Sequence, residues 1–436
     1  MFTIHAPSII AQNEVAFSYT CSRFGAFEER VIWPVSKSAV HGQPALLNLM
    51  AALLGVSYYK AAAAADIIVE VPLGPASREA IIACYTEGLG EFLFRNALPY
   101  PPQLNWHWND ASPAPASHQQ ASNHAIMAFG GGKDSHAAMA MMNAAGLTYE
   151  PVSIILDAKV GDRLATMIGE KLTFITRQIS PEIIRLAREK QGYNGHVPIT
   201  AINSAILTTY AAMQDAGAVI FANERGASKP TIIHHGHAIN HQYSKSIALE
   251  ALMRAALAEC VDDAPQWFSL LRPFSELWIA RTVATRAKPA HDKFTSCNRN
   301  FVFAGTKVLT EGERWCGKCP KCVFTAAIFA PHCYAPEMET IFGKDILGDE
   351  ANIAMARDLS GLGDMKPWEC VGDVEDTAAA FAMLAQHPIW QNKTVVKALT
   401  PELNDRFNLG VLRARFASEM EAKGPHFVPL PWAGLL

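Results

Sequence analysis

Two groups of residues have the types and the spacing that chemistry would need. The first is Gly130-Gly131-Gly132-Lys133-Asp134-Ser135. Glycines let a chain turn sharply and bring its amides close to a ligand, and a row of such amides binds phosphate oxygens. Lys133 offsets phosphate charge, Ser135 offers a hydroxyl, and Asp134 offers the oxygen ligand that magnesium prefers. The second group is Cys297, Cys316, Cys319 and Cys322, with two overlapping C-x-x-C steps and eighteen residues between the first two cysteines. Four thiolates with turn-forming Gly317 and Pro320 among them suit a closed structural zinc site. An iron–sulfur cluster takes the same ligand count and stays open as the alternative.

Further reactive side chains lie between these groups. His196 sits in the turn Gly192–Thr200, where an imidazole can act as acid or base. Asn194 and Thr200 are candidate caps for the helix that follows, with Pro198 in its first turn. Glu224 and Arg225 follow an apolar run; Glu224 suits a base or metal ligand, Arg225 an anion clamp. Lys245, within Gln242–Ser246, is a second candidate clamp for phosphate or carboxylate. His234, His235, His237 and His241 crowd one stretch, and on a helix His237 and His241 would share a face for a metal, though no carboxylate spacing accompanies them. Each has a plainer counterpart: a structural loop histidine, a Glu–Arg loop pair, a solvated lysine. The stretch Tyr85–Phe92 reads as a loop into a packed segment, with ligand contact the alternative.

Position depends on the elements around these residues. Ala125–Phe129 reads as a short buried strand, and a helix runs from the glycines to Gly146. A strand, a glycine turn and a helix N-terminus form a cradle for phosphate, here read as the pyrophosphate part of ATP; the plain alternative is a turn serving only the fold. The Walker pattern G-x-x-x-x-G-K-[ST] is absent, which points away from γ-phosphoryl transfer. Strands at Val152–Leu156, Phe174–Ile179 and Ala218–Ala222 alternate with helices around Arg163–Leu172, from Pro181 through Lys190, and from Pro198 through Gln214. That rhythm predicts an α/β fold, a parallel sheet with helices on both faces. Ligands then bind at the C-terminal strand edges, at Gly130–Ser135, Asp157 and Asn223–Arg225. Residues 1–108 read as an α+β domain for substrate, with strands at Glu14–Thr20 and Ile67–Val71, a buried helix over Pro44–Leu54 and a helical alanine run at Ala61–Ala65. Residues 109–124 are rich in Ala, Ser, Pro, Gln and Asn and read as a linker. Residues 125–345 form the nucleotide-binding unit with the four cysteines, and 346–436 a helical region with an extended tail packed on the body.

Composition sets outer bounds. A chain of 436 residues with half of them hydrophobic can bury a large core. Net charge −4 and a pI near 6.4 give no general basic field, so no nucleic-acid partner is expected. The longest apolar run, Leu49–Val56, is too short for a bilayer, so no membrane partner is expected either. The N-terminus carries no signal-peptide pattern. A cytoplasmic protein is expected, and a reducing compartment directs nine cysteines toward metal rather than disulfides.

The glycine cradle resembles the S-G-G-x-D-S signature of the ATP pyrophosphatase, or PP-loop, superfamily, with Gly130 where that family usually has serine. Taken in chain order, G-G-G-K-D-S, N-G-H-V-P-I-T-A-I-N-S, N-E-R-G-A-S, H-Q-Y-S-K-S, L-R-P-F-S-E-L, S-C-N and W-C-G-K-C-P-K-C-V-F resemble the UDP-N-acetylmuramoyl-L-alanyl-L-glutamate epimerase family, MurL, from about Ala125 to Gly343. Val56–Lys60 and Gly88–Phe92 resemble it less specifically. The resemblance implies an ATP- and magnesium-dependent enzyme of peptidoglycan precursor synthesis. Such an enzyme inverts the terminal glutamate of UDP-MurNAc-L-Ala-L-Glu and releases AMP and diphosphate. The rival functions are a PP-loop enzyme that modifies nucleobases or tRNA, and a non-enzymatic ATP-binding module.

Overall fold

The computed structural model describes residues 1–113, 115–117, 122–156, 158–168, 171–300 and 313–436. Its frame is one mixed sheet of eleven strands. Five strands are mutually parallel, in the order Gln266–Ser269, Ala216–Phe221, Ser122–Ala128, Tyr149–Ile155 and Thr173–Gln178. The sheet continues without a break into the N-terminal residues, where Thr173–Gln178 pairs antiparallel with Gly25–Ile32. Beyond lie Glu14–Cys21, with Ser8–Ala11 paired to it, and then Phe2–Ile4, Asp66–Pro72 and Asn105–Asn109. The seam between the two halves is buried. Arg177 holds Glu29, and Tyr58 donates to the same carboxylate at 2.8 Å.

Side-chain alternation along the strands explains two cores. Ile126 faces a core with the helices Pro44–Tyr59, Ile199–Met213 and Ile247–Cys260. Its neighbours Ala125 and Met127, and Phe129 beyond the strand, face a second core on the other side, with the helices Lys133–Ala144, Glu276–Arg286 and Pro320–Phe329. Period two divides one strand between two layers. The C-terminal helices Val374–Leu384, Thr394–Phe407 and Leu409–Ser418 close the second core through Phe381, Leu399 and Leu412. Val428 and Trp432 of the tail are buried there, although Leu430–Leu435 forms a 3-10 turn instead of staying extended.

Two local expectations need correction. The alanine run is not helical: the helix ends at Tyr59, and Ala63 has φ +47°. Long-range backbone bonds override alanine's propensity, with Tyr193 N–H donating to Ala61 O at 3.0 Å and Asn105 N–H to Ala65 O at 2.8 Å. Nor do Asn194 or Thr200 cap the helix Ile199–Met213, whose N-cap is Pro198 without a side-chain cap. Asn194 instead accepts from Lys60 Nζ at 2.9 Å. Among the described residues no helix is long and apolar enough to cross a membrane.

Candidate active site

The glycine turn leaves the end of Ser122–Ala128 and enters the helix Lys133–Ala144. Gly131 has φ +73°, a conformation that favours glycine. The turn is braced from two sides. Gly130 N–H donates to Ser135 Oγ at 3.0 Å, and Thr295 N–H donates to Gly131 O at 3.1 Å. Lys133 and Asp134 line a narrow cleft of about 40 Å³ together with Glu224, Gln242, Lys245, Glu276, Ser296, Lys321, Phe324, Thr325 and Cys370. Lys133 Nζ lies buried between Asp134 at 2.6 Å and Glu276 at 2.5 Å. Burial alone would discharge Lys133, but the two carboxylates outweigh it and hold its pKa above the usual lysine range. Burial drives Glu276 the other way, upward, against the pull of Lys133.

A buried fork places the next two residues. Arg272 bonds Glu250 through Nε at 3.0 Å and Nη2 at 2.8 Å. Its Nη1 donates to Glu224 O at 2.7 Å, and its Nη2 to Lys245 O. One guanidinium therefore fixes the backbone of both cleft residues. Glu224 is 3% exposed, and its Oε1 has no hydrogen-bond partner among the described residues.

The C-terminal region supplies one more cleft wall. Gly372 lies so close to Phe324 and Glu276 that a Cβ there would meet them at 2.7 and 2.9 Å. Gln242 Nε2 donates to Val371 O at 3.4 Å. These contacts bring Cys370, half-buried, into the cleft with its Sγ 3.5 Å from His241 Nε2. The other nitrogen of His241, Nδ1, bonds the buried carboxylate of Glu91. Burial would raise the Cys370 thiol, but the Lys245 ammonium, the His241 hydrogen bond and Lys321 overcome it and hold the pKa down at about 5. Burial would likewise lower His241, yet its bonds to Cys370 and Glu91 raise it to about 9.

The four cysteine sulfurs all lie within 4.8 Å of one another, close enough to hold a metal. Cys319 is the N-cap of the helix Pro320–Phe329, which places Cys322 in its first turn. Cys316 N–H donates to Cys297 Sγ at 3.4 Å, and Cys319 N–H to Cys316 Sγ at 3.3 Å. The cluster adjoins the cleft, since Ser296, Lys321, Phe324 and Thr325 all line it.

With this geometry in view, the matches to known proteins are specific. The MurL N-terminal domain matches residues 1–270 and the MurL C-terminal domain residues 293–411. The chain belongs to the MurL family. It is 37% identical over 409 residues to a UDP-N-acetyl-alpha-D-muramoyl-L-alanyl-L-glutamate epimerase of a Micromonospora species, covering 92% of this chain and 88% of that protein. It is 35% identical to the protein of the same name from Salinispora tropica, covering 92% and 86%, and 34% identical to the one from Xanthomonas oryzae pv. oryzae, covering 88% and 83%.

Within this MurL chain the structure gathers some of the anticipated residues and separates others. Lys133, Asp134, Glu224 and Lys245 share the cleft. His196 does not line it; its Nδ1 is 3.9 Å from Glu91, and its ring lies 4.6 Å from that of His241, tilted by 45°. Burial and the neighbouring His241 charge push His196 down to about 4. Arg225 points elsewhere, bonded to Glu419 and donating to Pro273 O at 2.9 Å. Asp157 lies outside the described residues.

The four-histidine metal reading is overturned. His234 and His237 are cross-strand partners in a hairpin turned by His235 and Gly236, both at positive φ, so His237 and His241 share no helix. Of the four, only His241 joins a donor group, with Glu91 and His196. Its two nitrogens face Glu91 and Cys370. Glu91 lies in the stretch Tyr85–Phe92, Arg272 and Glu276 in the motif L-R-P-F-S-E-L and Lys321 in the cysteine motif, but no motif assigns any of them a role of its own, and Cys370 lies in no motif. Arg272 and Glu276 follow the strand Gln266–Ser269, so recognising a fifth parallel strand would have found that edge. Nothing local marks Cys370.

Proposed function

We propose that this chain is an ATP-dependent epimerase that converts the terminal L-glutamate of UDP-MurNAc-L-Ala-L-Glu to D-glutamate by way of a carboxyl-adenylate, releasing AMP and diphosphate. The reading rests on family membership and on the relatives' printed name. The observation that carries the chemistry is the shared cleft of Lys133, Asp134, Glu224 and Lys245 at the strand edge. The α-proton of a glutamate carboxylate is hard to remove, because a carbanion would form beside a negative charge. Adenylation removes that charge. The glycine turn and the helix N-terminus suit the phosphates, Lys133 offsets their charge, and Lys245 draws in the substrate carboxylate. Asp134, partly exposed at the cleft, would hold magnesium, which neutralises phosphate charge as diphosphate leaves. Glu224 and His196 are the acid–base candidates from the motifs, and Glu224, whose Oε1 is unpaired, has the stronger support from geometry. Arg225 would act from outside the cleft, by bracing Glu419.

The cysteine cluster is proposed as a structural zinc site. Its Sγ pairs stand 3.5, 3.7 and 3.9 Å apart. A tetrahedron with Zn–S near 2.3 Å has edges of about 3.8 Å. A [4Fe–4S] cluster puts a different iron under each thiolate, and a [2Fe–2S] cluster divides the four thiolates between two irons, so either spreads the sulfurs farther. With nucleotide substrates, the enzyme works in the cytoplasm. Incubation with ATP, magnesium and UDP-MurNAc-L-Ala-L-Glu should yield D-glutamate and AMP. Folded protein that yields neither would sink the reading.

A further inference from the structure

We propose that Cys370 is the catalytic group that removes the glutamyl α-proton, with His241 and Glu91 as the relay that keeps its sulfur ready. The proposal deepens the epimerase reading above and rests on it. It is carried by four observations of geometry. Cys370 shares the cleft with the cradle residues Lys133 and Asp134, although it lies more than two hundred residues away in the chain. Its Sγ is 3.5 Å from His241 Nε2, and His241 Nδ1 is bonded to Glu91, a buried carboxylate that fixes the ring's orientation. The segment is held there by Gly372, at a position where any larger residue would strike Phe324 and Glu276. Glu224, buried and with an unpaired Oε1, lines the same cleft from a different element. A nucleophile, its oriented base and the base's orienting carboxylate are the recurring parts of an activated thiol. The MurL chain has four other cysteines outside the metal cluster, Cys21, Cys84, Cys260 and Cys333, all buried.

The Cys370 thiolate takes the α-proton of the adenylated glutamyl residue and becomes S–H. The C–H electron pair passes into the carbonyl of the mixed anhydride. A proton from water, passed on by Glu224, then forms the new C–H bond on the opposite face and restores the carbonyl, and Cys370 returns the abstracted proton to water. Water hydrolyses the anhydride and releases AMP. Lys245, which lines the same cleft as Cys370 and Glu224, steadies the enolate oxygen.

The test separates proton abstraction from ATP chemistry. Full-length Cys370→Ser is incubated with ATP, magnesium and UDP-MurNAc-L-Ala-L-Glu in D2O. The expected result is AMP release within a few-fold of wild type, with deuterium uptake at the glutamyl α-carbon reduced at least about 100-fold, the scale of a lost general base. Cys370→Ala should behave alike, and melting temperature and metal content should match wild type for both. Because either variant could disturb packing, folded wild type carrying iodoacetamide label mapped to Cys370 provides a third arm, expected to lose exchange. α-Deuterium uptake near the wild-type rate in Cys370→Ser would overturn the proposal. Loss of AMP release and exchange together in a folded variant would also overturn it, by placing Cys370 in ATP handling. Wild type that exchanges its α-proton without forming AMP would sink the adenylate reading while leaving the proposal to stand on the variants' exchange rates.

Discussion

Lys133 shows how far single residues could be read. Its place after three glycines predicted a charge beside phosphate, and it does line the cleft with Asp134. What spacing could not convey is that Glu276, from a strand edge 143 positions further on, also holds its ammonium. Asp134→Ala should abolish ATP-dependent AMP release while leaving melting temperature and metal content unchanged; full turnover in that variant would refute the cradle. Cys370 was illegible because its surroundings are assembled from the turns at His241 and Lys245, the helix bearing Lys321 and its own segment with Lys366 and Glu369, facing the cleft's Lys133, Asp134, Glu224 and Glu276. A pH prediction follows from this assembly. The thiol is lowered from an ordinary 9.0 to about 5, so its stabilising effect is complete above 9 and lost as pH falls through about 5. The imidazole is raised from 6.5 to about 9, so its effect is complete below 6.5 and lost as pH rises through about 9. The thiolate–imidazolium pair therefore persists between about 5 and 9. Alkylation of Cys370 by iodoacetamide should reach half its maximal rate near pH 5, because the thiolate is the nucleophile. His241→Gln should move that midpoint to higher pH. A wild-type midpoint near 9 would contradict the assignment.

Among the elements, the strand–helix alternation from the cradle strand to Ala216–Phe221 was legible, because buried parallel strands are continuous apolar runs separated by helices. The continuity of the sheet was not. Residues 1–108 read as a unit before a Pro- and Ser-rich stretch, yet Gly25–Ile32 pairs with Thr173–Gln178, and such pairing between distant segments leaves no local mark. The same is true of the Arg272–Glu250 fork, which joins the helix Ile247–Cys260 to the two cleft backbones. Arg272→Met leaves Glu250 buried without its partner and should cost about 3–5 kcal/mol in urea unfolding. The double variant Arg272→Met/Glu250→Leu should regain much of that stability, since a buried pair replaced by apolar groups is often near neutral. Its epimerase turnover should remain low, because the carbonyls of Glu224 and Lys245 have lost their anchor. A double variant that recovers both stability and turnover would show that the fork serves packing alone.

At the scale of the whole molecule, the cysteine cluster is the junction between the sheet and the C-terminal helices. Thr295 holds Gly131 in the cradle, Cys297 follows two residues later, and the helix begun by Cys319 carries Phe324 against Gly372, the neighbour that fixes the Cys370 segment. Cradle and thiol thus hang from opposite ends of one four-cysteine knuckle. A structural zinc contributes about 10–16 kcal/mol of apparent binding energy in small peptides, comparable with the roughly 5–15 kcal/mol that stabilises a whole domain. Metal loss should therefore loosen the second core rather than remove one contact. Elemental analysis should find one zinc per chain. Cys322→Ser should lose that zinc, melt at lower temperature and show faster amide exchange in the helices Pro320–Phe329 and Val374–Leu384 than in Pro44–Tyr59, which packs on the other face of the sheet. Cys333→Ser, equally buried but outside the cluster, should keep its zinc and its ATP turnover. Iron in place of zinc would overturn the choice of metal. A zinc-free protein with unchanged exchange in those two helices would overturn the knuckle itself, because cradle and thiol would then be held by packing alone.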